Sequence, residues 1–299
     1  MNAALSDAGG PWGLPLWDVA IWGLLCAAAA TLWWRKARSA SLALLALALA
    51  AAFARGLLAP PALAALALLV LAAWLVRPQR PRAARIGGHV VFVLTAFALG
   101  LHLLPGFDNP RAIADVRLSA DSAPMALYFN FDKPLAGFWL LLCWPLLRLY
   151  GDGPRPAAAS LGAGLAGAAI AAALCLGLGL ALGAVAWAPK WPWFGALWAL
   201  NNLLLVALTE EAMFRGYLQD SLQRRWQAQR WGAHAAIAVS ALAFGLVHAG
   251  GGARWVALAT LAGLAYGWAY RKGGLAAAVL AHFGLNLVHF TLFTYPQLA

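Results

Sequence analysis

Glutamate is nearly missing from this chain: among 299 residues there are two, Glu210 and Glu211, side by side. Charge of either sign is scarce as well. Only 10% of the residues are charged, against about 25% in a soluble domain. With 64% of the residues hydrophobic, no single soluble core could hide so many apolar side chains, so a water-soluble globule is excluded. Cysteine is rare. Cys26, Cys143 and Cys175 each lie inside an apolar run, with no second Cys or His close in sequence. This argues against a disulfide or cysteine-based metal set, and the three read as small buried hydrophobes. No Gly-rich phosphate loop is present. Ser221 and Ser240 lack a His–Asp pairing in the sequence, which argues against a serine nucleophile. The stretch Met1 to Trp17 carries Asp7 and no basic residue. It therefore lacks the positive start of a cleavable signal peptide, and the first apolar run is expected to be retained.

What the chain has instead is a series of apolar runs of roughly 15 to 30 residues, where about 20 cross a bilayer as a helix. They fall near 16–34, 40–58, 61–76, 87–104, 136–150, 158–187, 193–219, 234–250, 254–270 and 274–293. The runs are continuous and rich in Ala and Leu. A membrane β-barrel would need alternating segments of about ten residues. The expected fold is all-α, a polytopic membrane helix bundle of about ten transmembrane helices.

The net charge of +11 does not point to nucleic acid, because the basic residues sit in short segments between the runs. Arg35, Lys36, Arg38, Arg77, Arg80, Arg82, Arg85, Arg148, Arg155, Arg224, Arg225, Arg230, Arg271 and Lys272 occupy alternate connections. Arg55, Arg111, Arg117, Lys133, Lys190 and Arg254 take the others, and Arg215 lies within the seventh run. Under the positive-inside rule this alternation puts both termini on the non-cytoplasmic side of a membrane, expected to be the plasma (inner) membrane. The longest connection, Pro105 to Pro134, holds Asp108, Asp115, Asp121 and Asp132. A short cap packed over the helices and a solvated loop are both open, and the loop is favoured. The chain is expected to divide into residues 1–190, about six helices of unknown role, and 191–299, about four helices with the chemistry.

An ionisable side chain in hydrocarbon is costly, so such residues are candidate functional groups. Asp18, His89 and His102 lie near helix ends, can reach the interface, and are read as bland. The seventh run differs. Trp193 to Leu208 is apolar apart from Asn201 and Asn202, and then comes Thr209-Glu210-Glu211-Ala-Met-Phe-Arg215. Adjacent helical residues point about 100° apart, so one carboxylate can face a cavity while the other faces a neighbouring helix. Arg215 stands four residues after Glu211, where an ion pair forms. That pairing holds Glu211 ionised and leaves Glu210 as the base. The eighth run ends in Phe244-Gly-Leu-Val-His248, and the tenth carries His282-Phe-Gly-Leu-Asn286. Each pair shares one helix face. An Asn amide at such a point can orient a carbonyl or stabilise an oxyanion. His289 is read as a packing or interface residue. Carboxylates, imidazoles, an amide and a guanidinium make up the inventory of a hydrolytic site. Buried Glu, His and Arg also build ion or proton pathways, so a transporter or non-catalytic membrane protein is the competing reading.

Glu-Glu-x-x-x-Arg, Phe-x-x-x-His and His-x-x-x-Asn, in that order on successive apolar segments, resemble the CPBP (CAAX protease and bacteriocin-processing) intramembrane endopeptidases. These include the type II CAAX prenyl endopeptidases. The resemblance covers about residues 195–293, and Phe214-Arg215-Gly216-Tyr217-Leu218 reads like the family too. It implies that Glu210 is the catalytic base with Glu211 and Arg215 beside it. It also implies that His248 and His282 hold or polarise water or substrate, and that Asn286 supports the oxyanion. The implied activity is peptide-bond hydrolysis in a membrane-associated protein or peptide. Whether zinc takes part is open: Glu210, His248 and His282 would be its ligands, and the alternative is a metal-free glutamate protease. One difficulty of depth arises, because His248 falls near the outer end of its run while Glu210 and His282 fall in the cytoplasmic halves of theirs.

Overall fold

The computed structural model describes residues 14–144 and 157–299. Residues 1–13, Arg148 and Arg155 lie outside the described residues. The chain forms two compact units, residues 1–116 with 126–145 and residues 117–125 with 146–299. This differs from the expected division at 190. The helix Ala157–Ala181 packs along Ala253–Leu292 and so belongs with the second unit.

The first unit holds α1 (Leu16–Thr31), α2 (Arg38–Ala54), α3 (Ala62–Leu75), α4 (Arg82–Gly100) and α5 (Lys133–Cys143). Pro15, Pro61 and Pro81 stand just ahead of α1, α3 and α4, and Pro134 lies in the first turn of α5. A proline costs least there, because that N–H has no helical partner. The long connection is not a plain solvated loop. It forms a two-stranded hairpin of β1 (Arg111–Val116) and β2 (Met125–Tyr128). Ile113, Leu127, Phe129 and Phe131 are buried, and Phe129 stacks on Trp22 with centroids 4.4 Å apart. Asp132, also buried, accepts bonds from His102 Nδ1 at 2.7 Å, Asn109 Nδ2 at 3.1 Å and its neighbour's backbone N–H at 2.7 Å. Apolar side chains buried at alternate positions, with one carboxylate fully bonded, explain why this segment packs. Cys26 and Cys175 are buried as expected, whereas Cys143, in the last turn of α5, is exposed.

The second unit holds α6 (Ala157–Ala181), α7 (residues 195–225), α8 (Gly232–Leu246) and α9 (Ala253–Leu292). Within α7, Asn202–Ala207 and Ala212–Gln219 adopt wide turns with i→i+5 bonds. Within α9, Gly274 takes φ 76°, which breaks the helix into two arms. A side chain is disfavoured at positive φ, so glycine is the residue that turns the chain there. The described chain is mostly helical, and the expected runs carry helices. Three of these, Arg82–Gly100, Ala157–Ala181 and Ala253–Leu292, are long and apolar enough to cross a membrane. Leu16–Thr31, Arg38–Ala54, Ala62–Leu75, Lys133–Cys143 and Gly232–Leu246 are apolar but shorter, at 10–17 residues.

Candidate active site

Glu210 and Glu211 sit near the middle of α7, about 22 Å along its axis at about 1.5 Å per residue, rather than at its end. The wide turns set which way the polar residues point. Residues eight apart on a regular α-helix diverge by about 80°. An i→i+5 turn takes up an extra residue and reduces that offset. Asn202, Val206 and Glu210 consequently form one stripe that lines a cavity. Glu211, Arg215 and Gln219 form a second stripe that is fully buried.

The buried stripe grips α9. Arg215 Nη1 donates to Glu211 Oε1 at 3.0 Å, and Nη2 donates to the Gly263 carbonyl at 3.0 Å. Gln219 Nε2 donates to the Gly267 carbonyl at 3.0 Å. The Arg215 guanidinium lies 4.6 Å from the centroid of Phe244 and 5.2 Å from that of Tyr266. This approach needs the two glycines. A Cβ at Gly263 would stand 3.0 Å from Arg215 Nη2, and one at Gly267 would stand 2.7 Å from Gln219 Oε1. Small residues four apart are a recurrent means of bringing helix backbones together in membranes. Ser240 Oγ ties α8 to the same region by donating to the Phe214 carbonyl at 2.7 Å.

Glu211 Oε1 also receives His282 Nδ1 at 2.8 Å. A carboxylate oxygen accepts, so Nδ1 carries the ring proton. That leaves His282 Nε2 facing Glu210 Oε2 at 3.9 Å. The imidazole is clamped from its faces and edges too: Tyr266 stacks on it with centroids 4.8 Å apart and planes 11° from parallel, and Phe244 meets it edge-on at 5.7 Å. His248 is fixed in the same tautomer, with Nδ1 2.8 Å from the Phe244 carbonyl. Asn286 Nδ2 donates to Asn202 Oδ1 at 3.2 Å.

Glu210, His248, His282 and Asn286 all line one cavity of about 800 Å³, together with Asn202, Phe244, Tyr266 and His289. That volume is ample for a peptide segment, since ligand pockets run to about 300–1,000 Å³. The difficulty over the depth of His248 is settled by local geometry. Helix α8 stops at Leu246, a 3₁₀ turn follows at Ala249–Gly251, and Gly252 at φ 88° starts α9. The cavity extends from Glu210 and His282 to the end where this short helix finishes, so His248 lines the same wall. Glu211 and Arg215, in contrast, do not reach the cavity and lie beneath it. Sequence reasoning assigned no role to Asn202 or Tyr266. The signal for Asn202 was an amide in an apolar run, but its alignment with Glu210 depends on the wide turns. Tyr266 carried no such signal.

Among the described residues, no three His, Cys, Asp or Glu side chains lie close enough to form a metal-binding group. Glu210, His248 and His282 line the cavity without being gathered into such a group.

Residues 190–288 match the family model described as Rce1-like, type II CAAX prenyl endopeptidase. This segment is similar to that family. It contains Glu210, Glu211, Arg215, His248, His282 and Asn286. No curated protein and no solved structure matches the chain. The Rce1-like family is one of proteases, and its substrates are membrane-associated proteins. The apolar helices, three of them long enough to cross a bilayer, mark this chain as an integral membrane protein.

Proposed function

We propose that this protein is an intramembrane endopeptidase that hydrolyses a peptide bond in a membrane-associated protein or peptide, using water activated by Glu210. The carrying observation is that the Glu210 carboxylate, the His248 and His282 imidazoles and the Asn202 and Asn286 amides line one cavity, over a buried layer in which Glu211 Oε1 accepts from both Arg215 and His282.

In this reading Glu210 takes a proton from a water molecule held between it and the histidines, as a positioned general base. Both imidazoles carry hydrogen on Nδ1, so in the neutral ring each Nε2 is an acceptor. That suits them to orient the water rather than to donate to an oxyanion. The amides of Asn286 and Asn202 donate to the carbonyl oxygen as negative charge develops on it. The protonated Glu210 then returns its proton to the leaving amine, which restores the base. Glu211 and Arg215 act through His282: the carboxylate fixes the ring's tautomer and orientation, and the guanidinium holds that carboxylate in position.

The test compares the termini of membrane proteins in cells producing the wild-type protein and cells producing Glu210→Gln. Loss of a general base costs about 10²–10⁴-fold in rate. Specific new termini are expected only with the wild-type protein. Identical sets of termini from the two would refute the reading.

A further inference from the structure

The cavity has a direction. At its inner part it is lined by Glu210 and by the buried side chains of Phe244, Ala262, Tyr266 and His282. From there it runs past Asn202, Leu285, Asn286 and His289 to Gly183–Val185, Gly251–Trp255 and Tyr295–Ala299. These last segments lie at one end of the unit, where α6 and α8 finish and α7 and α9 begin. The segment after α9 is held at the same end, because Thr294 N donates to the Ala186 carbonyl at 2.8 Å and Leu298 N to the Ala184 carbonyl at 2.9 Å. The opposite end contributes no lining residue. On that side the Glu211–Arg215 pair, Gln219 and Ser240 are wholly buried and close the floor.

The two ends differ in charge. Arg224, Arg225, Arg230, Arg271 and Lys272 sit at the closed end. The open end has Arg117, Lys190 and Arg254. Lys190 is tied to the backbone carbonyls of Ala188 and Phe293. Exposed indoles flank both ends, Trp187, Trp191 and Trp193 at the open one and Trp231 at the closed one, as at the two membrane–water interfaces. Short connections rich in Lys and Arg stay in the cytoplasm.

We infer that the cavity opens on the non-cytoplasmic side of the membrane. Its substrate is then a translocated polypeptide that reaches the site from the non-cytoplasmic face, and not a protein tail presented from the cytoplasm. This rests on the peptidase reading for its substrate class, whereas the direction of opening stands on charge and cavity geometry alone.

Cysteine accessibility tests it without any need for catalysis. In a background with Cys26, Cys143 and Cys175 replaced by Ala, single cysteines are introduced as Ala253→Cys and Gln297→Cys at the open end and Gln227→Cys at the closed end. Intact cells and inverted membrane vesicles are treated with a membrane-impermeant, positively charged methanethiosulfonate. A fourth variant, His289→Cys, probes the cavity wall. The Ala253, Gln297 and His289 positions are expected to react in intact cells, and the Gln227 position only in inverted vesicles. The reverse pattern overturns the inference. So does failure of the His289 position to react from the outside while the two open-end positions do, because the cavity would then not be continuous with that face. Failure of the Glu210→Gln comparison with this labelling pattern intact would refute the peptidase reading alone.

Discussion

Arg215→Met isolates the energetics of the locked floor. Arg215 and Glu211 are both fully buried and 3.0 Å apart. Removing the guanidinium leaves the Glu211 carboxylate with a single strong donor, His282 Nδ1, and also leaves the Gly263 carbonyl without its partner. Breaking a buried pair from one side costs about 3–5 kcal/mol, which is a hundredfold to several thousandfold change in the folding equilibrium at about 1.4 kcal/mol per tenfold. Removing both charges together is different. An uncharged replacement of a whole buried pair is often neutral in stability, because the desolvation cost disappears with it. Arg215→Met combined with Glu211→Gln is therefore expected to recover most of the lost stability. It should not recover activity, since the amide no longer anchors His282 as a carboxylate does. The assay is equilibrium unfolding of the purified protein in mixed micelles, with cleavage measured on the same samples. The reasoning is refuted if Arg215→Met costs less than about 1 kcal/mol, the scale of an exposed pair, or if the double variant is as unstable as the two single costs added together.

Three other outcomes follow from the same geometry. Asn202→Ala should lower kcat by about 10²–10³-fold, the usual cost of losing an oxyanion donor, with little change in KM. Combining it with Asn286→Ala should cost little more, because each amide is oriented by the other, and a fully additive loss would count against a shared role. Gly267→Ala should destabilise the protein by about 1–3 kcal/mol through overpacking, since the new methyl would meet Gln219 Oε1 at 2.7 Å and Ile237 Cγ2 at 2.9 Å; thermal unfolding reads this directly. Tyr266→Leu should leave the fold intact yet reduce cleavage, because His282 loses the ring stacked on it at 4.8 Å; unaltered kcat would show that the clamp does not matter.

Composition and the order of the motifs were sufficient to place this chain in a membrane and to mark Glu210, His248, His282 and Asn286. A rare polar residue in an apolar run has few bland explanations, and spacings of four put pairs on one helix face. Helix positions were legible for a similar reason, since long Ala- and Leu-rich runs have no competing local structure. The hairpin at Arg111–Tyr128 was missed because its segment is polar overall, and its buried residues show only once Phe129 finds Trp22. The compact units do not coincide with residues 1–190 and 191–299, because the packing of α6 on α9 links residues far apart in the chain.

The sequence alone determined which chemical groups exist and that they must be shielded from lipid. Only the tertiary structure decided how they divide the work. Wide turns in α7 set Asn202 and Glu210 toward the cavity and send Glu211 and Arg215 under it, and the early stop of α8 brings His248 to the same wall. Those outcomes depend on backbone winding and on close contact between helices. Neither is encoded in any single spacing, because both arise from packing between segments that are distant in sequence.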